Sequence, residues 1–322
     1  MTEQRSKDIK LGVVLPCFNE ELVLSHSIEK ISKQINEMQK NNLIKEAVIC
    51  LIDDGSKDNT WNKILELQKK NNLNIVGIKF SKNFGHQYAL FAGISYFKNM
   101  ADCVISLDVD LEQDVEKIPS FVESFLLGND IVLGIRNDRK QDSFIKKITA
   151  KTYYQFTKFF GMNMVYNHAD YRLISKKVAK EISNFQEYHL FLRSMISGLG
   201  FKQSKVYFDV TKNKTRQSKY SFFKMLSLGI NGITSYSVNP LRVSTIIGLL
   251  TMIFSFVMVL VIFYEKLFLK IETPGWASTV LPIYLIGGVN MFFLGVIGEY
   301  IGKIFLEVKK RPKYIIEKIS ER

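Results

Sequence analysis

The first residues in this chain with chemistry to offer are carboxylates in two short clusters. Asp53-Asp54-Gly55-Ser56 closes the apolar run Ala47–Ile52, and Asp108-Val109-Asp110 closes the run Cys103–Leu107. Asp108 and Asp110 are separated by one residue, so a turn after a strand can bring both onto one ion. Hard divalent cations such as Mg²⁺ or Mn²⁺ prefer such oxygens and bridge from them to substrate phosphates. An isolated Asp-x-Asp occurs often by chance; the second acidic strand end upstream is what makes this a metal-site reading. Zinc is disfavoured, because His26, His86, His168 and His189 show no H-x-x-x-H or Cys–His spacing. His86 and His168 read as ordinary hydrogen-bonded histidines. Cys17, Cys50 and Cys103 lie in or beside apolar runs, without a C-x-x-C pair, and read as small core residues. Pro16-Cys17-Phe18-Asn19-Glu20 stands where a dinucleotide-binding chain would carry G-x-G-x-x-G, and there is no P-loop.

Both acidic clusters need strands behind them. Leu11–Pro16, Ala47–Ile52, Ile75–Phe80, Cys103–Leu107 and Ile131–Leu133 read as buried strands. Between them, 21–40, 58–70, 86–98 and 115–127 have helical character. Such alternation predicts an α/β domain with a mostly parallel, doubly wound sheet. Ligands bind such sheets at the carboxyl ends of the strands, near a topological switch point. The acidic clusters occupy those ends.

The C-terminal third has a different character. Val243–Tyr264 and Thr273–Gly298 are uncharged, apolar runs, the first of 22 residues. A helix of that length spans about 33 Å, enough for a hydrocarbon core of about 30 Å. Residues 211–242 hold Lys212, Lys214, Arg216, Lys219, Lys224 and Arg242 with no acid, and residues 301–322 hold seven basic and three acidic residues. These flanks carry most of the +13 net charge of the 322-residue chain. The positive-inside rule then places both flanks in the cytoplasm and the short connection 265–272 outside. Phe222, Leu226, Gly229, Ile230 and Ile233 recur at helical spacing and predict an interfacial amphipathic helix leading into the first span. The expected organisation is a cytoplasmic catalytic head (1–210), a basic juxtamembrane segment (211–242), two transmembrane helices (243–264 and 273–298) and a basic cytoplasmic tail (301–322). Residues 1–10 carry no apolar stretch of the kind a cleaved signal peptide requires. Basic residues that cluster beside the spans point to anionic lipid and argue against a nucleic-acid partner.

Taken together these residues resemble the family 2 glycosyltransferases, which have the GT-A fold. The matching pieces are Val-Leu-Pro-Cys-Phe-Asn-Glu-Glu (14–21), Asp-Asp-Gly-Ser-Lys-Asp-Asn-Thr (53–60), Asn-Phe-Gly-His (83–86) and Asp-Val-Asp-Leu (108–111). Gly134-Ile-Arg136, Asn167-His-Ala-Asp-Tyr-Arg-Leu173, Ser218-Lys-Tyr220, Asn239-Pro-Leu-Arg242 and Gly298-Glu-Tyr-Ile-Gly302 extend the likeness toward polyprenyl-phosphate glycosyltransferases. The resemblance implies that Pro16, Phe18, Asn19, Glu20, Ile52 and Asp54 bind the nucleotide of a nucleotide sugar, UDP-linked by likeness to bacterial members. It implies Asp108 and Asp110 as ligands of Mg²⁺ or Mn²⁺, and Arg136 and Lys219 as partners of the phosphates. Asp170 and Arg172 are implied as catalytic residues at the sugar and acceptor end, with Asp170 as a base or a positioning carboxylate. The acceptor implied is a polyprenyl phosphate such as undecaprenyl phosphate, the reaction inverting, and the assembly a homo-oligomer, a tetramer in relatives.

Several positions depart from the family pattern. Glu112 replaces a Gln that can be a third metal ligand, and being an oxygen ligand itself stays on the metal list. Asp114-Val115 replaces Pro-Pro, while Asn213 and Arg216 stand where Arg and Gly are usual before Ser218-Lys219. A processive polysaccharide synthase of the same fold would carry a Q-x-x-R-W motif and more spans, and this chain has neither. A catalytically inactive membrane scaffold is the other alternative, and the retained acidic and basic residues argue against it.

Overall fold

The computed structural model describes residues 5, 8–70, 74–137, 167–210, 237–264, 267–268 and 275–321. Lys219, the departures at Asn213 and Arg216, the interfacial helix expected over 221–236 and most of the connection 265–272 lie outside the described residues.

The apolar runs form the expected strands. β1 (Lys10–Cys17) and β2 (Glu46–Asp53) are buried after their first residue, as strands covered on both faces must be. β3 (Asn74–Phe80), β4 (Cys103–Ser106) and β5 (Ile131–Arg136) follow, with α1 (Leu24–Lys40), α2 (Thr60–Lys70), α3 (His86–Phe97) and α4 (Ile118–Leu126) between them. On α1, Leu24, Ile28, Ile31, Ile35 and Met38 recur every three or four residues and all are buried. α3 packs so closely on the sheet that a Cβ at Gly93 would lie 2.4 Å from Val14 Cγ1 and 2.9 Å from Ile52 Cδ1. Where Asp114-Val115 replaces the family's Pro-Pro, the Asp114 carboxylate accepts from the Glu116 N–H at 3.0 Å and caps a short 3₁₀ turn.

The remaining elements are β6 (His168–Ser175), α5 (Lys176–Asn184), α6 (Leu192–Gly198), β7 (Gln203–Phe208) and β8 (Ile316–Ser320). The sheet order is β7-β5-β6-β4-β1-β2-β3-β8. β1 pairs in parallel with β2 and β4, and β2 with β3. β6 runs antiparallel between β4 and β5, and β8 runs antiparallel along β3. The sheet is therefore mixed and mostly parallel. The chain winds outward from β1 through β2 and β3, then returns to β4 on the other side of β1. That reversal is the switch point at which an α/β sheet opens a crevice.

The chain divides into two compact units. The first holds the sheet, including β8 from the last residues of the chain. The second holds α7 (Asn239–Tyr264) and α8 (Trp276–Val308). Both helices contain segments long and apolar enough to cross a membrane, Asn239–Met258 and Pro282–Val308, and none of their apolar windows is buried. The segment 301–322, read as a tail, continues α8 to Val308 and then supplies β8.

Candidate active site

Three loops meet at the carboxyl ends of β1, β2 and β3. Asn19 takes a left-handed conformation, φ 55°, and ties the first two loops together. Its N–H donates to Ser56 Oγ at 3.0 Å and its Oδ1 accepts from the Lys57 N–H at 2.8 Å. The Glu20 N–H donates to Thr60 Oγ1 at 2.9 Å, and Glu21 accepts from the Asn59 N–H at 2.9 Å. Asp53, fully buried, accepts from the Ser56 N–H at 2.9 Å and closes the turn. Asp54 reaches to the third loop, where its two oxygens accept from the Phe84 N–H at 2.7 Å and the Gly85 N–H at 2.9 Å. Burial raises the Asp54 pKa above the ordinary carboxylate value, and these two N–H bonds pull it back only in part. The loops touch at Gly55, φ +65°, where a Cβ would sit 2.3 Å from the carbonyl carbon of Lys82.

Beyond this frame lies a connected set of charged side chains. Asp108 Oδ2 accepts from Gln113 Nε2 at 2.6 Å, and the Asp108 N–H donates to Gln113 Oε1 at 3.0 Å. His86 Nε2 stands 3.5 Å from Asp108 Oδ1 and 3.6 Å from Asp170 Oδ2. Asp170, on β6, is buried and paired with Arg172, and it accepts from Arg193 of α6 at 2.7 and 3.2 Å. Gln87 spans the same region, accepting from the Leu192 N–H at 3.1 Å.

The charges divide unevenly. Burial pushes the Asp108 carboxyl up to about 6, and the neighbouring Asp170 and Asp110 charges add to the rise. Burial alone would raise Asp170 too, but the Arg172 charge, the hydrogen bond with His86 and Arg193 hold it well below the usual range. Burial would lower His86, yet its bond to Asp170 and the charges of both aspartates raise it. His168 is pushed down to about 3 by burial and by Arg172 and Arg193. Arg172 is buried with Nε and Nη1 lacking hydrogen-bond partners among the described residues.

A cleft of about 280 Å³ opens between these groups. Pro16, Phe18, Glu20, Asp54, Asp108 and Asp110, six of the expected site residues, line it together with Asn83 and His86. Asn19 serves the loop frame. Ile52 does not line the cleft: it is fully buried, with its Cδ1 toward Gly93. Glu112 lies outside the lining, and its N–H donates to Asp110 Oδ1 at 3.2 Å. Arg136 ends β5, with its Nε buried and without a hydrogen bond among the described residues. Asp170 and Arg172 sit behind the lining and reach it through His86.

The donor set bears on a cation. Among the described residues no group of three or more His, Cys, Asp and Glu is arranged to hold a metal ion. Two cleft carboxylates, one with its pKa raised by burial and by the neighbouring Asp170 and Asp110 charges, fit a hard divalent ion that completes its shell with water and phosphate oxygens. His86, Gln87, Gln113 and Arg193 complete the network and were not picked out in the sequence as site residues. His86, expected as an ordinary hydrogen-bonded histidine, stands between two carboxylates.

The family described as Glycosyl transferase family 2 matches residues 12–183. An uncharacterized glycosyltransferase of Bacillus subtilis (strain 168), YkoT, is 41% identical, over 95% of this chain and 91% of its own length. The SfII prophage-derived bactoprenol glucosyl transferase of Shigella flexneri is 37% identical over 96% of this chain and 98% of its own. Among solved structures, S. aureus TarS 1-349 in complex with UDP-GlcNAc is similar with a TM-score of 0.47 and 16% identity, over 70% of this chain and 65% of that one.

Proposed function

The chain belongs to glycosyl transferase family 2 and is an enzyme of the glycosyltransferase class, and from that premise we propose the reaction. It transfers a hexose or N-acetylhexosamine, with inversion, from a UDP-linked sugar to a polyprenyl phosphate such as undecaprenyl phosphate. The observation that carries this reading is the Asp108–Asp110 pair in a crevice at the switch point, in a chain that also carries two membrane-length apolar helices. Similar chains named bactoprenol glucosyl transferase support a lipid acceptor.

Pro16, Phe18 and Glu20 hold the nucleobase and ribose, and Asp54 orders the 83–86 loop beside them. Asp108 and Asp110 hold Mg²⁺ or Mn²⁺, with water and phosphate oxygens completing its shell; Glu112, expected as a further ligand, lies outside the cleft lining. When bound, that ion supplies positive charge to the diphosphate as the sugar leaves. Arg136 and Lys219 supply more charge to the phosphates, an electrostatic contribution that grows as the leaving group becomes anionic. The acceptor phosphate is already an anion near neutral pH and needs little help from a base. Asp170, held ionised by Arg172 and Arg193, is a weak base at that pH. We assign it a positioning role: it orients His86 toward Asp108.

The organisation proposed is a cytoplasmic head over 1–210, a basic segment 211–242 at the bilayer surface, spans over 243–264 and 273–298, and a tetramer. The basic flanks on both sides of the spans support a multi-pass protein with its catalytic unit in the cytoplasm. So does the return of the chain after α8 to the sheet that holds the site.

The test is transfer by the purified protein in lipid nanodiscs, with undecaprenyl phosphate, Mg²⁺ or Mn²⁺ and a panel of radiolabelled UDP sugars. Mass spectrometry of the product should find one sugar on the lipid phosphate. No transfer from any donor in the panel would overturn this reading and return the scaffold alternative.

A further inference from the structure

β8 comes from the part of the chain that follows the second apolar helix, and it is anchored at both ends. Gln68 of α2 donates from Nε2 to the Ser320 carbonyl and accepts from Ser320 Oγ, both at 2.8 Å. Tyr96 of α3 donates to Glu321 at 2.9 Å, and Lys79 pairs with Glu317 at 3.1 Å. At the other end, the Ser81 N–H donates to the Ile315 carbonyl at 3.0 Å. The Tyr314 ring stacks on Phe80, centroids 4.9 Å apart and planes 15° apart. Lys313 places its Nζ 4.1 Å above the Phe91 ring and donates to the Phe185 carbonyl.

Phe80 is where this clamp meets the site. It is fully buried, and its other neighbour is Phe84, edge-on at 5.7 Å. Phe84 and Gly85 are the residues whose N–H groups Asp54 holds, and His86 follows them into the cleft. A continuous path of contacts therefore runs from Tyr314 through Phe80 and Phe84 to Asp54 and His86.

We propose that Tyr314, on the segment that follows the second apolar helix, is a positioning residue that sets the 83–86 loop of the site through the Phe80–Phe84 ring stack. The proposal rests on the functional reading only in calling this cleft the active site. Its first test does not need a substrate. Hydrogen exchange of the full-length protein in nanodiscs is followed by mass spectrometry for Tyr314→Ala, Tyr314→Leu and Tyr314→Phe. Tyr314→Ala should speed exchange of the Phe84 and Gly85 amides about three- to tenfold, the size a lost aromatic contact supports, while β1 and α1 keep their protection. Tyr314→Leu should act more weakly, and Tyr314→Phe should restore the normal rates, because the ring and not its hydroxyl makes the stack.

With a donor identified from the panel, the apparent affinity for the donor should fall in the same order. Unchanged exchange at 84–85 in both Tyr314→Ala and Tyr314→Leu would overturn the proposal. Equal acceleration across the whole sheet in both variants would also overturn it, since Tyr314 would then support the fold alone. Failure of every donor to react would count against the proposed reaction and leave the exchange result standing.

Discussion

The two acidic strand ends look alike in sequence and do opposite work in the structure. At the end of β2, both aspartates are committed to backbone N–H groups: Asp53 to Ser56, and Asp54 to Phe84 and Gly85. After β4, Asp108 accepts from the Gln113 amide and stands 3.5 Å from His86 Nε2, and burial, helped by Asp170 and Asp110, lifts its pKa to about 6. Three of the four oxygens of the first pair hold loops, and Asp53 Oδ2 is buried without a hydrogen-bond partner among the described residues. The second pair faces the cleft, where burial and two neighbouring carboxylates disfavour the ionised form of Asp108, a balance that a bound cation would offset. Acidic residues at a strand end are therefore not a metal site until their hydrogen bonds have been followed.

The most disruptive change should be at Asp170, whose charge separates the two cases. Asp170→Asn leaves Arg172 buried without its counter-charge and should cost about 3–5 kcal/mol of stability, read by denaturant unfolding. If stability is unaffected, the pairing with Arg172 and Arg193 does not carry the weight assigned to it. Asp108→Asn should reduce sugar transfer about a hundredfold or more, the size of losing a main electrostatic contact, with the melting temperature kept or raised. Asp54→Asn should show the converse balance. Its amide can accept only one of the two N–H groups and turns a donor toward the other, costing about 1–3 kcal/mol by thermal unfolding. Should Asp108→Asn unfold the protein while Asp54→Asn does not, the contrast between the strand ends fails.

The smallest effect is on pH dependence. The folded Asp108 carboxyl holds its proton to about pH 6, whereas an unfolded one releases it near about pH 4. Its contribution to stability in cation-free protein is thus present below about pH 4 and lost as pH rises through about 6. The raised His86 acts in the same direction at higher pH. Added Mn²⁺ should oppose this loss above about pH 6, and its apparent affinity should fall about tenfold per unit below that. Melting curves across this range, with and without Mn²⁺, check both statements.

The strands from β1 to β5 were legible because each is a continuous apolar run ending in polar residues. β6 was harder for a physical reason. His168, Asp170 and Arg172 alternate with Ala169, Tyr171 and Leu173, a pattern that normally means one face in water. All eight residues of β6 are buried, because the polar face closes on the site network. Asp108 and Asp110 were legible from type and spacing, while Gln113 and Arg193 carry no local signal. Their roles exist only once β4, β6 and α6 are side by side. The position of Ile52 next to Asp53 does not disclose that its side chain is buried and turns to α3. β8 was obscured by its setting, a short stretch with alternating charges in a strongly basic tail.

That late strand has a consequence for how the protein is made. A ribosome synthesises β1 through β7, then both apolar helices, and only afterwards the residues that cover the edge of β3. With the helices inserted as proposed, the sheet reaches its full width only after both have entered the bilayer. Until then β3 presents an open edge, the kind of surface that recruits other strands. A nascent chain stalled after α8 should therefore be more easily cleaved by protease around β3 than the released protein. On the proposed topology, membrane insertion would come before the completion of the sheet that holds the site.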